Sequence, residues 1–248
     1  MVYRGGRIKR QFFARLNWMS KLNSSNALVL FDIDGTLIRR AGPHHREALQ
    51  AAIHHTVGVR MSIEGIPVAG MLDPDIISTT MLRDGFGRDA IETAMPAIIR
   101  QAQRSYVRLC PNLERKVCPG ARLLLKRLKK SGVPTGLVTG NLTAIGWKKM
   151  ERAKLQDYFR FGAFAEMAKD RAGLVKIAIA EARRAGWLAR GGRVSLIGDH
   201  PNDVLAAQRN GIRSVAVATG VIGAEELASY QPDLLVPDMT SLTVEMFV

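Results

Sequence analysis

Asp32 and Asp34 stand one residue apart at the end of the apolar run Ala27-Leu28-Val29-Leu30-Phe31, followed by Gly35 and Thr36. Two carboxylates leaving a strand into a turn can be aimed into one cavity, where one attacks as a nucleophile and the other protonates a leaving oxygen. An Asp-Gly turn is also ordinary loop chemistry; the apolar strand ending on the first aspartate is what favours a site. A second acidic group, Gly198-Asp199-His200-Pro201-Asn202-Asp203, ends another apolar strand. Asp199 sits at its tip and Asp203 in the first turn of the next helix, where a carboxylate would also compensate the helix dipole by about 0.3–1 kcal/mol. Negative charges gathered on one sheet edge cost free energy unless a cation or proton offsets them. Carboxylate oxygens beside a substrate phosphate are the usual protein complement of Mg2+.

Between these groups, Val138-Thr139-Gly140-Asn141 places a hydroxyl at a strand tip ahead of a helix. Thr139 Oγ and the backbone N–H groups that follow it, at Gly140 and Asn141, suit a phosphate, and a helix N-cap equally. Phosphoryl chemistry also needs a cation on the phosphoryl oxygens. Lys169 and Arg171 lie 30 and 28 residues ahead of Asp199, though each taken singly reads as a surface charge.

The elements that must position these groups are strands alternating with helices. Buried strands are expected at 27–31, 135–139, 194–198, 214–218 and 234–236, and helices at about 120–131, 142–154, 172–186, 201–210 and 224–229. That rhythm implies an α/β fold with a doubly wound, Rossmann-like parallel sheet, whose functional side chains cluster at strand C-terminal ends. The interval 41–113 breaks it, with helical periods at 44–57, 73–85 and 89–109 jointed by Gly and Pro. It reads as a helical insert after the first strand, placed to cover the strand ends. The expected division is a basic extension over 1–25, a core of 26–40 and 114–248, and a cap of 41–113. Met19 is an alternative start, and Phe12 to Leu16 suit a short amphipathic turn.

The 248 residues are 47% hydrophobic, enough to bury a sizeable core. No apolar run reaches the roughly 20 residues of a membrane span, and no secretory signal follows the basic N-terminus. Cys110 and Cys118 lack the spacing of a zinc site or disulfide framework and read as reduced thiols in the cytoplasm. The net charge of +14 includes six basic and no acidic residues in the first 25 positions. Much of the rest, as in Lys126-Arg127-Leu128-Lys129-Lys130, is expected on solvated helix faces. With no basic strand interleaved with aromatics, the balance argues against nucleic acid and for attraction of a phosphorylated small molecule. Nothing indicates an oligomeric state.

In order and spacing, these motifs resemble the haloacid dehalogenase superfamily, in particular its phosphoglycolate-phosphatase-like branch with a small α-helical cap, from about Leu28 to Val236. The resemblance implies that Asp32 is a nucleophile forming an aspartyl-phosphate and that Asp34 is the general acid/base, its backbone carbonyl also on Mg2+. It implies that Gly35, Thr36, Gly140 and Asn141 contact substrate, that Thr139 is the phosphate-binding hydroxyl, and that Asp199 and Asp203 serve the metal. The third motif departs from the family: many relatives carry Lys-Pro, which is absent here. Spacing to Asp199 favours Arg171, with Lys169 its rival. Gly70 to Pro74 falls where such caps turn toward the site, and Asp73 is expected to cap the helix starting at Pro74. His44 and His45 are about three helical turns from His54 and His55, too far for one metal, and are expected at the surface or in cap packing.

The resulting expectation is a Mg2+-dependent phosphatase acting on a small phosphate monoester; phosphoglycolate, a sugar phosphate, a nucleotide or pyrophosphate would all fit a small cap's pocket. A 2-haloacid dehalogenase on the same scaffold would attack carbon and need no acid at position 34. A phosphomutase would return the phosphate to a sugar. A non-catalytic basic module binding nucleic acid would rest on residues 1–25 alone.

Overall fold

The computed structural model describes residues 24–39 and 42–248. The basic extension, the turn near residue 12 and Met19 lie outside them, except that Ser25 already belongs to the first strand. Six strands form one parallel sheet in the order β3-β2-β1-β4-β5-β6: β1 (Ser25–Phe31), β2 (Thr135–Val138), β3 (Phe161–Ala163), β4 (Leu188–Gly198), β5 (Arg213–Val217) and β6 (Leu234–Val236). This is a doubly wound Rossmann-like order. The chain moves from β1 outward to β2 and β3, then returns to β1's other side with β4, and the crevice at that reversal is where such sheets bind ligands. β1 is thus central, covered on both faces, and its residues 27–31 are buried. That burial explains a continuous apolar run in place of an alternating one.

β3 carries no readable strand signal. It is three residues long, with Gly162 in the middle, and relies on β2 alongside it and on Phe161 stacked on Trp187, centroids 5.3 Å apart. β4 begins six residues earlier than its apolar run, because Leu188 pairs with Ser25 before the register shifts across Arg190-Gly191-Gly192 to join Arg193 with Ala27.

Helices α1 (His44–Val57), α2 (Asp73–Arg83) and α3 (Arg88–Leu109) fall between β1 and the rest of the sheet. The α/β helices are α4 (Ala121–Lys130), α5 (Thr143–Arg152), α6 (Arg171–Arg184), α7 (Pro201–Arg209) and α8 (Ala224–Ser229). α4 buries Ala121, Leu124, Leu125 and Leu128 and exposes Lys126, Arg127, Lys129 and Lys130, the solvated basic face its sequence implied. Among the described residues no helix is long and apolar enough to cross a membrane.

Candidate active site

The C-terminal tips of β1 and β4 bring Asp32 beside Asp199, and the first turn of α7 adds Asp203. All three are buried, and each offers a carboxylate oxygen within 4.8 Å of the others'. Among the described residues a single guanidinium faces them. Arg171, the first residue of α6, donates through Nη1 to Asp32 Oδ1 and to Asp203 Oδ1, both at 2.9 Å. Its Nε is buried without a partner. Burial disfavours charge on Arg171, but Asp203 and Asp32 outweigh it and hold the guanidinium proton more tightly than usual. Burial and the charges of Asp32 and Asp203 push Asp199 up to about 8. Burial also pushes Asp203 up to about 7, against the pull of Arg171.

Asp199 is seated by its neighbours. Thr36 Oγ1 donates to its Oδ1 at 2.8 Å, and Gly35 and Gly220 leave the space its carboxylate fills. Gly35 has φ +87°, a left-handed conformation, and a Cβ there would lie 2.1 Å from Asp199 Oδ2. Gly35→Ala is therefore expected to displace the Asp199 carboxylate and to destabilise the fold by about 1–3 kcal/mol, which melting curves would show.

A second pole surrounds Asp34. Its Oδ2 accepts from Lys149 Nζ at 2.5 Å and from Asn141 Nδ2 at 2.8 Å. Asn141 also donates to Thr139 Oγ1 at 2.7 Å and accepts from Lys149 at 2.6 Å. Burial opposes ionisation of Asp34, yet Lys149, His45 and the hydrogen bonds from Lys149 and Asn141 prevail and hold the carboxyl below its ordinary value. Its side chain stays 40% exposed, open to a substrate.

The helical insert reaches both poles. Asn202 Nδ2 donates to Gly70 O at 2.9 Å, and Gly70 (φ +68°) lies so close to the His200 ring that a Cβ would overlap it. Asp73 N–H donates to Gly140 O at 2.8 Å, and the Leu142 N–H donates back to Asp73 Oδ2 at 2.8 Å. Gly140 admits Met71 O, which would be 2.3 Å from an added Cβ.

The structure gathers Asp32, Asp34, Thr139, Asn141, Arg171, Asp199 and Asp203 at one sheet edge. It separates the two candidate cations: Arg171 is buried among the carboxylates, while Lys169 is exposed. Thr36 is fully buried, with its hydroxyl donating to Asp199 Oδ1. Asp73 does not cap its own helix. It is the first residue of α2, 1% exposed, and accepts the N–H of Leu142, the N-cap of α5, because its carboxylate is turned across to the core. His54 and His55 are exposed, whereas His45 lies inside with Nε2 3.0 Å from Asp73 Oδ1 and Nδ1 3.3 Å from Lys149 Nζ. Lys149 and His45 were legible only as breaks in a stripe: Lys149 shares the buried face of α5 with Ile145, Gly146 and Met150, and His45 precedes Ala48 and Leu49 by one turn. Cys110 and Cys118 are both buried, and burial pushes Cys118 up to about 11.

The chain has relatives in sequence and in fold. The chain is 26% identical over 227 residues to phosphoglycolate phosphatase 1 of Pseudomonas aeruginosa, covering 87% of this chain and 78% of that protein. The fold matches beta-phosphoglucomutase from Clostridium difficile with a TM-score of 0.66 at 19% identity, over 89% of this chain and 94% of that one. It also matches CbbY from Rhodobacter sphaeroides, solved with xylulose-(1,5)bisphosphate, with a TM-score of 0.66 at 17% identity, over 87% and 96% of the two chains. The model of one family spans residues 27–211, from the first strand past Asp203, and so contains every residue of both poles. The chain belongs to the haloacid dehalogenase-like hydrolases.

Proposed function

We propose that the chain is a Mg2+-dependent phosphatase that hydrolyses a small phosphate monoester through an aspartyl-phosphate on Asp32. The observation that carries this reading is the charge imbalance at the sheet edge. Among the described residues, Asp32, Asp199 and Asp203 face one cation, Arg171, an excess of two acidic groups in a buried site. A divalent cation closes that balance, and an all-oxygen donor set suits Mg2+. Asp32, Asp199, the Asp34 carbonyl and Asp203, as ligand or support, would hold it. When bound, it offsets phosphoryl charge and helps align the ester.

The chain's own groups supply the chemistry. An Asp32 carboxylate oxygen attacks phosphorus as the ester P–O bond breaks, and the Asp34 carboxyl gives its proton to the departing oxygen. Asp34, now a carboxylate, takes a proton from the water that cleaves the aspartyl-phosphate, freeing inorganic phosphate and restoring Asp32. Thr139, the backbone N–H groups of Gly140 and Asn141, and Arg171 hold the phosphoryl oxygens. The unpartnered Nε of Arg171 is a donor such an oxygen would satisfy.

Residues 41–113 act in this reading as a cap on a core of 26–40 and 114–248. Its support is the Gly70–Asp73 loop, seated on Gly140, Leu142 and Asn202. Closure there excludes water and reads the substrate's organic half. A phosphoglycolate phosphatase among the relatives and a sugar bisphosphate held by a structural neighbour both favour a small phosphorylated metabolite. Two buried free thiols support a cytoplasmic setting. A panel of such metabolites, including 2-phosphoglycolate, sugar phosphates and nucleotides, tests the reading through Mg2+-dependent release of inorganic phosphate. Phosphate moved to another position on a sugar would indicate a mutase, and halide release from 2-haloacids without phosphatase activity a dehalogenase.

Stability should report the cation independently of turnover. Asp199 and Asp203 have folded pKa values above the ordinary 3.8, so across about pH 4 to 8 the folded chain holds protons that the unfolded chain has released. Metal-free stability then falls as pH rises through that window. Mg2+ replaces those protons, so its stabilising shift in Tm is expected to be larger at pH 8 than at pH 5.5. Melting curves with Mg2+ and with chelator at the two values would show an equal shift if the cluster does not bind the ion.

A further inference from the structure

Lys149 has no role in the chemistry above, yet it is 1% exposed and stands against the proposed acid. Burying an ammonium is costly unless its charge is paired and its donors are used. Lysine has three N–H donors and nothing to accept with. Here three acceptors meet them: Asp34 Oδ2 at 2.5 Å, Asn141 Oδ1 at 2.6 Å and His45 Nδ1 at 3.3 Å. The Tyr106 ring lies under the ammonium, its centroid 5.7 Å away. Asn141 donates to the same Asp34 oxygen, so Oδ2 carries two hydrogen bonds, while none from the described residues reaches Oδ1. One oxygen of the acid is anchored and the other is left for a proton in flight.

The chain of contacts continues into the helical insert. With Nδ1 accepting from Lys149, the His45 proton sits on Nε2 and is donated to Asp73, 3.0 Å from Oδ1 and 3.1 Å from Oδ2. Asp73 is the residue that grips Gly140 and Leu142. The same side chains that dock the insert on the loop after β2 therefore also reach, through one lysine, the carboxyl of Asp34.

We propose that Lys149 is a positioning residue for proton transfer: with Asn141 it pins Asp34 Oδ2 so that Oδ1 meets the leaving oxygen, and His45 and Asp73 make that alignment depend on the docked insert. This rests on the phosphatase reading. It also makes the site one for alkyl phosphates such as sugar or hydroxy-acid phosphates, whose alkoxide leaving groups depart only with a proton, whereas an aryl phosphate with an acidic phenol does not need one. A lysine that bound the phosphoryl group itself would matter equally for both kinds of ester.

The test is Lys149→Met and His45→Ala in the full chain with Mg2+, comparing 4-nitrophenyl phosphate with the alkyl phosphate that the wild type hydrolyses fastest. Lys149→Met is expected to lower kcat for the alkyl ester by about 10²–10³-fold, the scale of a misplaced general acid, and for the aryl ester by less than about tenfold. KM for both should stay within about threefold. His45→Ala should repeat the pattern with smaller losses. Equal losses on the two esters, or a rise in KM at constant kcat, would overturn the proposal. If Lys149→Met fails to fold, His45→Ala decides by the same criterion, since His45 is at the edge of the network and 21% exposed. Asp32→Asn measured alongside separates the layers. An active Asp32→Asn removes the phosphatase reading; an inactive one with no leaving-group dependence in Lys149→Met removes only the role of Lys149.

Discussion

Replacing Asp32 by asparagine is expected to lower Mg2+-dependent turnover of every ester the protein accepts by at least about 10³-fold and to leave it folded. The amide has the shape of the carboxylate but no anionic oxygen to attack phosphorus. Its effect on stability should have an unusual sign. Asp32 is one of three buried carboxylates facing Arg171, and its charge is among the causes that push Asp199 upward. Removing that charge relieves repulsion, while Arg171 keeps its bond to Asp203. Without Mg2+ the variant should therefore melt at or above the wild-type temperature, although most buried substitutions destabilise. With Mg2+ it should gain less than the wild type, having lost one anionic ligand. Phosphate release and melting curves with and without Mg2+ check both halves. Retained turnover would eliminate Asp32 as the nucleophile, and a large fall in metal-free Tm would show that the three carboxylates do not repel one another as their burial implies.

Much of the fold was legible because burial on both faces forces a parallel strand to be apolar throughout. β1, β2, β4, β5 and β6 all showed that run, and the three helices of the insert emerged within two residues of their observed ends. β3 did not, since Phe161-Gly162-Ala163 has neither length nor pattern and exists through its neighbours β2 and Trp187. The early start of β4 was hidden for a similar reason: its first pairing, Leu188 with Ser25, is separated from the main ladder by an irregularity rich in glycine. Tertiary pairing made these segments strands, and no local propensity announces it.

In the site, residues at strand tips were legible and residues arriving from elsewhere were not. Asp32, Thr139 and Asp199 each follow an apolar run, so their place on one edge follows from the sheet alone. Asp73 and His45 come from the segment between β1 and β2, 69 and 104 positions from Leu142 and Lys149, and a sequence read in order offers no reason to bring them there. Asp73 was misread as a helix cap because aspartate ahead of proline is a familiar capping pattern. Its carboxylate does serve a helix N-terminus, but that of α5, on the far side of β2 in the chain. Lys149 was obscured by the company of Lys148, since a lysine pair in a helix reads as solvated until its phase against Ile145 and Met150 is counted.

Spacing favoured Arg171 with Lys169 as its rival, and burial predicts very different consequences for losing them. Arg171 is 6% exposed and bridges two carboxylates through one nitrogen; Lys169 is exposed. Arg171→Ala leaves Asp32, Asp199 and Asp203 buried together with no cation among the described side chains, and stripping one partner from a buried ion pair costs about 3–5 kcal/mol. Protonation relieves part of that cost, so the variant should be markedly more stable at pH 5.5 than at pH 8, and Mg2+ should recover more Tm in it than in the wild type. Turnover should still fall by about 10²–10³-fold at saturating Mg2+, because a divalent ion among the carboxylates does not replace donors aimed at the phosphoryl oxygens. Arg171→Lys separates charge from shape. It keeps one positive charge but gives up the planar fork that lets a guanidinium face carboxylates on one side and an oxyanion on the other, so it should recover most of the stability and less of the rate. Lys169→Ala should change stability by no more than about 0.5 kcal/mol and leave turnover within about twofold. Rates and melting curves for the three variants at the two pH values decide the matter, and a loss in Lys169→Ala as large as in Arg171→Ala would reverse the assignment.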